Sequence, residues 1–145
     1  MDNDTLNRGI RLAKEGYFRE ALKVFDKNIC FTQNPTAMSY YAISMAFEEG
    51  DYDRAVSFCL MAAEKEFYNP EIYLNLGRVF LISNQKLRAI KSFRRGLKYD
   101  ESNRAILDEV FKLGVRKSPI LPFLPRRNVV NRVFGTLRAR LQPGG

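Results

Sequence analysis

The stretch IYLNLGRVFLISNQKLRAIKSFRRGLKYDESN, from Ile72 to Asn103, decides the fold. It is the most regular of three copies of one helix–turn–helix unit, because shifting the chain by 34 residues superimposes the same pattern on two earlier segments. Small residues of the second helices, turn residues and large inner residues recur in step, at Ala21, Ala55 and Ala89, at Gly16, Gly50 and Asn84, and at Phe25, Cys59 and Phe93.

The recurring residues also carry a family pattern. A 34-residue period with Leu-Gly, then Tyr or Phe, then Ala and Phe resembles the tetratricopeptide (TPR) family. Copy three has this pattern at Leu76, Gly77, Phe80, Ala89 and Phe93. The resemblance implies an all-α, TPR-like superhelical solenoid of antiparallel helix pairs, with repeats at about 2–35, 36–69 and 70–103.

The predicted starts of two helices recur close to the same 34-residue period. Asn34-Pro35 and Asn69-Pro70 each place a capping amide before a proline that suits the first helical position. Helical periodicity predicts that the second helix of repeat one runs from about Tyr17 to Cys30. A capping helix at 104–117 completes a TPR domain that we predict over residues 1–117.

Residues 118–145 form a basic, Pro-containing C-terminal extension. Pro119 to Pro125 predict an extended strap, and Val129 to Leu141 predict an amphipathic helix. Whether this extension docks on its own solenoid or on a partner is open. Its expected contact residues are Phe123, Val130, Phe134 and Leu137.

Composition and charge bound the function. The polar, acidic N-terminus does not read as a secretory signal, no run is apolar enough to span a bilayer, and we expect a cytoplasmic protein. The net charge is +8, of which +5 falls in residues 118–145. The span Ile72 to Tyr99 also contains no acidic residue, so the C-terminal half should steer acidic partners.

Enzymatic functions are disfavoured by the residue inventory. The chain has no His, no Gly-rich phosphate loop and no visible nucleophile with a base. Two cysteines without CxxC spacing and without His give no zinc site, and we expect no metal or cofactor. Cys59 stands where the other copies have Phe, which predicts a buried thiol that serves as a small apolar residue.

The TPR resemblance implies that a peptide or partner segment lies in a concave groove formed by the first helix of each pair. Carried over position by position, that groove is largely apolar and aromatic, with one cation to pair an acidic group. We predict as its lining Leu6, Ile10, Tyr40, Tyr41, Ser44, Phe47, Leu74, Asn75, Arg78 and Leu81. The alternatives are that these side chains are plain core or that the protein's own tail covers them.

A basic face on the second helix of repeat three comprises Lys91, Arg94, Arg95 and Lys98. It is either a solvated surface or a contact for an anionic partner. Nucleic acid is disfavoured because no aromatic residues are interleaved with these cations.

The leading hypothesis is therefore a protein–protein interaction adaptor or scaffold that binds a partner segment in the groove. A second hypothesis is a chaperone for a secretion substrate, since small three-repeat TPR chaperones of bacterial type III secretion have this size. A third is a peripheral contact with a membrane or nucleic acid through the basic C-terminal part. The oligomeric state is open.

Overall fold

The computed structural model describes residues 1–25, 29 and 33–114, and every regular element among them is an α-helix. The predicted all-α class is confirmed. The seven described helices are α1 (Asn3–Lys14), α2 (Phe18–Val24), α3 (Pro35–Glu49), α4 (Tyr52–Lys65), α5 (Pro70–Ile82), α6 (Lys86–Tyr99) and α7 (Arg104–Lys112). The strap, the amphipathic helix and the tail contact residues predicted beyond Lys117 lie outside the described residues.

Side-chain caps fix where most helices begin. The Asn34 side chain accepts a hydrogen bond from the Ala37 amide at 2.9 Å, and Asn103 caps α7 through the Ile106 amide in the same way. Asn69 caps α5, with Pro70 at its first position. These residues satisfy amides that have no partner inside the helix, which explains why the predicted starts of α3, α5 and α7 are confirmed.

The helices pack as three hairpins. Hairpin 1 is α1 with α2, hairpin 2 is α3 with α4, and hairpin 3 is α5 with α6. Each hairpin turns at a residue with a left-handed backbone, at Gly16 (φ 88°), Gly50 (φ 68°) and Asn84 (φ 61°). These are the three predicted turn positions, and glycine and asparagine adopt this backbone more readily than other residues.

Contacts between hairpins join each first helix to both helices of the preceding hairpin. Helix α3 packs on α1 and on α5, while α2 contacts α3, α4 contacts α5, and α7 lies on α6. One large hydrophobic core follows this row from Leu6 in α1 to Val110 in α7. The first helices therefore form a continuous layer, and the second helices cover one side of it.

Each hairpin has a crossing pair at equivalent positions of the 34-residue register, with one residue in the first helix and the other in the second helix or, for Phe25, directly after it. The crossing pairs are Gly9 and Phe25, Ile43 and Cys59, and Gly77 and Phe93. A Cβ placed on Gly9 would lie 2.5 Å from Cε1 of Phe25, and a Cβ on Gly77 would collide with the Phe93 ring. The absent Cβ thus lets an aromatic ring lie directly against the first helix in hairpins 1 and 3.

Two helices end earlier than their periodicity predicts. Helix α2 ends at Val24, since Phe25 has an extended backbone (φ −72°, ψ 124°), although the prediction reached Cys30. Val24, Asp26 and Asn28 all have weak helix propensity, which is consistent with this early end. Helix α7 ends at Lys112 and not at Lys117, because Gly114 adopts a left-handed backbone with φ 72°.

Candidate functional site

The predicted groove residues divide by burial. Phe47 alone is exposed, at 52%. Ile10, Tyr41, Arg78 and Leu81 are half-buried. The remaining five are buried and belong to the floor of the first-helix layer, namely Leu6, Tyr40, Ser44, Leu74 and Asn75.

Two aromatic residues predicted for the groove pack toward the second helices. The Tyr41 ring lies between Phe25 and Phe58, with centroid distances of 6.1 and 5.6 Å. Phe47 stacks on Phe18 of α2 at 4.3 Å. Both rings therefore hold hairpins 1 and 2 together on the side of α2 and α4.

Ion pairs join the first helices to one another. Lys14 Nζ of α1 lies 3.3 Å from Glu71 Oε1 of α5, and the same ammonium lies 5.6 Å from the centroid of the Tyr40 ring. This pair spans α3, which lies between the two helices. A salt bridge between α1 and α5 therefore crosses α3 beside Tyr40.

A second ion pair ties hairpin 3 to α7. Arg78 Nε lies 2.9 Å from Glu109 Oε1, with the two side chains 31% and 13% exposed. The cation that the sequence offered to a ligand is thus already paired within the chain. A ligand carboxylate would have to share this guanidinium with Glu109 or replace it.

Buried polar groups connect hairpins 2 and 3 beneath these ion pairs. Asn75 Nδ2 donates to Ser39 Oγ at 3.0 Å, and Ser39 Oγ donates to the Thr36 carbonyl at 2.8 Å. Oδ1 of Asn75 has no hydrogen-bond partner among the described contacts. Burial, together with the negative charge of Glu71, raises the pKa of the Tyr40 hydroxyl, so this phenol stays neutral and can only donate or accept a hydrogen bond.

The predicted basic face is exposed. Lys91, Arg94, Arg95 and Lys98 all lie on the solvent side of α6, opposite the buried Phe93 and Leu97. Arg95 also makes a cation–π contact, because its guanidinium lies 5.6 Å from the centroid of the Tyr73 ring. This contact leads to a feature that the sequence analysis missed.

The missed feature is a row of aromatic rings beside the basic face, which we call the aromatic row. Tyr73 stacks on Tyr99 at 6.0 Å, and Phe67 lies 6.2 Å from Tyr99 and 5.4 Å from Tyr68. These four residues come from a loop, from α5 and from the end of α6. Their separation in sequence hides the row, and only the pairing of α5 with α6 brings them together.

The part of the chain that the structure describes shows neither a metal-ligand cluster nor a membrane-spanning helix. Among residues 1–25, 29 and 33–114, no three His, Cys, Asp or Glu side chains gather closely enough to hold a metal ion. None of the described helices combines the length and apolar content needed to cross a bilayer. Neither a family model nor a curated protein matches this chain.

Proposed function

We propose that this protein is a TPR-like superhelical solenoid that acts as an adaptor and binds a peptide or partner segment along the layer of first helices. The contact of α3 with both α1 and α5 carries this proposal, because it makes one continuous surface from Ile10 to Leu81. The shared turn geometry and the crossing pairs of hairpins 1 and 3 support the TPR assignment.

The ligand would lie over the half-buried residues of this surface. Ile10 of α1 and Leu81 of α5 offer apolar contacts, and the pairs Lys14–Glu71 and Arg78–Glu109 join α5 to α1 and to α7. Since each of these cations has an acidic partner, charge alone gives a ligand little gain. We expect an extended or helical segment with apolar anchors, whose polar groups hydrogen-bond to the ion pairs.

The activity is binding without catalysis, and we propose that it takes place in the cytoplasm. The mechanism is rigid display, in which the hairpin core holds the surface in place before the ligand arrives. A preformed surface loses little conformational entropy on binding, so modest apolar contacts suffice for a stable complex.

A peptide probe tests this function. Peptides are selected from a random library on the full-length protein, and the best binder is resynthesised with a benzophenone group for photo-crosslinking. Mass spectrometry should place the crosslinks on α1, α3 and α5. Crosslinks confined to the outer sides of α4 and α6 would contradict the proposal.

A matched pair of variants measures the contribution of the surface. Leu81→Ala should weaken the selected peptide about tenfold, the typical effect of truncating an interface anchor. Leu87→Ala, on α6 and 77% exposed, should leave the affinity unchanged. Equal affinities of the two variants would rule out the first-helix surface as the site.

A further inference from the structure

The aromatic row and the basic face of α6 are adjacent. Phe67 and Tyr68 are 58% and 57% exposed, and Tyr99 is 38% exposed, so much of three rings is open to solvent. Tyr73 is buried beneath them, and its hydroxyl donates to the Phe67 carbonyl at 2.6 Å. The exposed rings are therefore held in place by neighbouring rings and by a hydrogen bond to the loop.

Cations adjoin this row on α6. Arg95 lies over the Tyr73 ring, and Lys98 directly precedes Tyr99. Lys91 and Arg94 continue the exposed positive charge along the helix, and α6 contains no acidic residue. An acid-free helix that presents several cations beside open rings attracts a polyanion that also carries planar groups.

Three acidic residues lie next to this surface in sequence, Glu66 before Phe67 and Asp100 and Glu101 after Tyr99. Glu66 accepts a hydrogen bond from Asn69 Nδ2 at 2.9 Å, and Asp100 accepts one from Asn103 Nδ2 at 3.2 Å. Both carboxylates are thus engaged by residues that cap the next helix. These acidic residues lie in the loops at the ends of the surface, whereas the charged residues of α6 are all positive.

We propose that the aromatic row and the basic face form a binding surface for single-stranded RNA. Bases stack on the exposed rings of Phe67, Tyr68 and Tyr99, and phosphates follow the cations of α6. The two exposed tyrosines also carry hydroxyls, which can hydrogen-bond to ribose 2′-hydroxyls, a group that DNA lacks. Sequence analysis disfavoured nucleic acid because it found no interleaved aromatic residues, and the fold supplies them.

The partner chemistry distinguishes RNA from other anionic partners. Lipid headgroups and acidic proteins share the negative charge of RNA, but they lack a series of planar bases to stack on rings that are already fixed. The surface is also on a different part of the molecule from the first-helix surface. Loss of peptide binding at the first-helix surface would therefore leave the RNA proposal intact, and loss of RNA binding would leave the adaptor proposal intact.

Fluorescence anisotropy with a labelled single-stranded RNA of mixed sequence tests the proposal on the full-length protein. Phe67→Ala and Tyr68→Ala should each weaken binding about tenfold, as expected when one stacked base is lost. Tyr17→Ala is the matched control, because Tyr17 is equally exposed (55%) but lies in the turn of hairpin 1. It should bind as the wild type does.

The cations are tested by salt dependence. The double variant Lys91→Gln/Lys98→Gln should lower the slope of log K against log salt by about 1.4, or about 0.7 for each lost phosphate contact. Arg8→Gln, an exposed cation on α1, should leave the slope unchanged.

Several results would overturn the proposal. One is the absence of RNA binding, and another is binding that the ring variants do not weaken, which would place it away from the aromatic row. Equal or tighter binding of DNA of the same sequence would refute the choice of RNA. Full displacement of RNA by equivalent charge on polyglutamate or phosphatidylserine vesicles would show that only charge is recognised.

Discussion

In hairpins 1 and 3 a glycine of the first helix faces a phenylalanine that lies in the second helix (Phe93) or directly after it (Phe25), whereas hairpin 2 has Ile43 and Cys59 at the equivalent positions. All three crossing pairs are buried. In hairpin 3 the Phe93 ring occupies the space that a Cβ on Gly77 would need. In hairpin 2 the large side chain is on the first helix and the small one on the second, and both are within 1% of complete burial.

This difference indicates that the crossing requires a total volume and not a particular residue at each position. Packed interiors tolerate an exchange of volume between neighbours better than a net change. A sequence pattern that requires glycine at the first-helix position would predict poor packing between the two helices of hairpin 2. The structure shows instead that α3 and α4 form an extensively packed pair.

The largest expected effect comes from removing the ring in hairpin 3. Phe93→Ala should lower the free energy of unfolding by about 3–5 kcal/mol, because it deletes a fully buried aromatic side chain and leaves a cavity. Cys59→Ala, at the equivalent position of hairpin 2, should cost about 1 kcal/mol. Urea denaturation of both variants measures the difference, and equal losses would contradict the comparison.

Transplanting the pair of hairpin 2 into hairpin 3 is the next test. Gly77→Ile should cost about 1–3 kcal/mol, because the new side chain overlaps the Phe93 ring. Adding Phe93→Cys should recover part of this loss, with a coupling free energy of about 0.5–3 kcal/mol. A double-mutant cycle by chemical denaturation gives the coupling free energy. Additive losses would show that the Ile–Cys pair cannot replace the Gly–Phe pair at this crossing.

Alkaline pH should destabilise the protein through hairpin 2. Burial raises the pKa of the Cys59 thiol above its ordinary value, so above about pH 8.5 the unfolded chain releases a proton that the folded chain retains. The free energy of unfolding should fall by about 1–2 kcal/mol between about pH 8 and pH 10 from this group alone.

Cys59→Ala provides the control for this effect, because it removes the thiol and should flatten the pH dependence over that interval. The crossing pairs of hairpins 1 and 3 add no pH dependence to the free energy of unfolding in this interval, since glycine and phenylalanine side chains do not ionise. An unchanged slope in the variant would mean that other groups cause the alkaline loss.

The smallest expected effect concerns a third close approach by a glycine. A Cβ on Gly96 would lie 2.5 Å from Cδ1 of Ile106 in α7, which is the far end of a flexible side chain. Gly96→Ala should therefore change the free energy of unfolding by less than about 1 kcal/mol, since better helix propensity offsets the shift of Ile106. Gly77→Ala should cost more because an aromatic ring cannot move aside as readily, and thermal melts of both variants test the order.

Much of the fold could be predicted because its signals are local. The turns at Gly16, Gly50 and Asn84 follow from the backbone that these residues accept, and the starts at Asn34, Asn69 and Asn103 follow from capping. Periodicity gave less reliable ends, since both α2 and α7 end before their patterns do. A helix end depends on a few residues of weak propensity or on one positive φ, which the periodicity does not register.

The candidate sites were harder to predict because they depend on contacts between distant residues. Arg78 read as a cation available to a ligand, but α7 brings Glu109 to it. Tyr41 and Phe47 read as groove residues, but their rings pack on the side of α2 and α4. Register identifies which positions are equivalent, but the neighbour that each side chain meets depends on how adjacent hairpins stack.

The sequence by itself determined the repeat length, the helical class, the turn residues and the positive charge of α6, since each arises from residues close together in the chain. Only the tertiary structure decided which charges are paired and which rings meet. Phe67, Tyr73 and Tyr99 form one row because α5 and α6 pack against each other. Such contacts join residues far apart in sequence, and no local propensity specifies them.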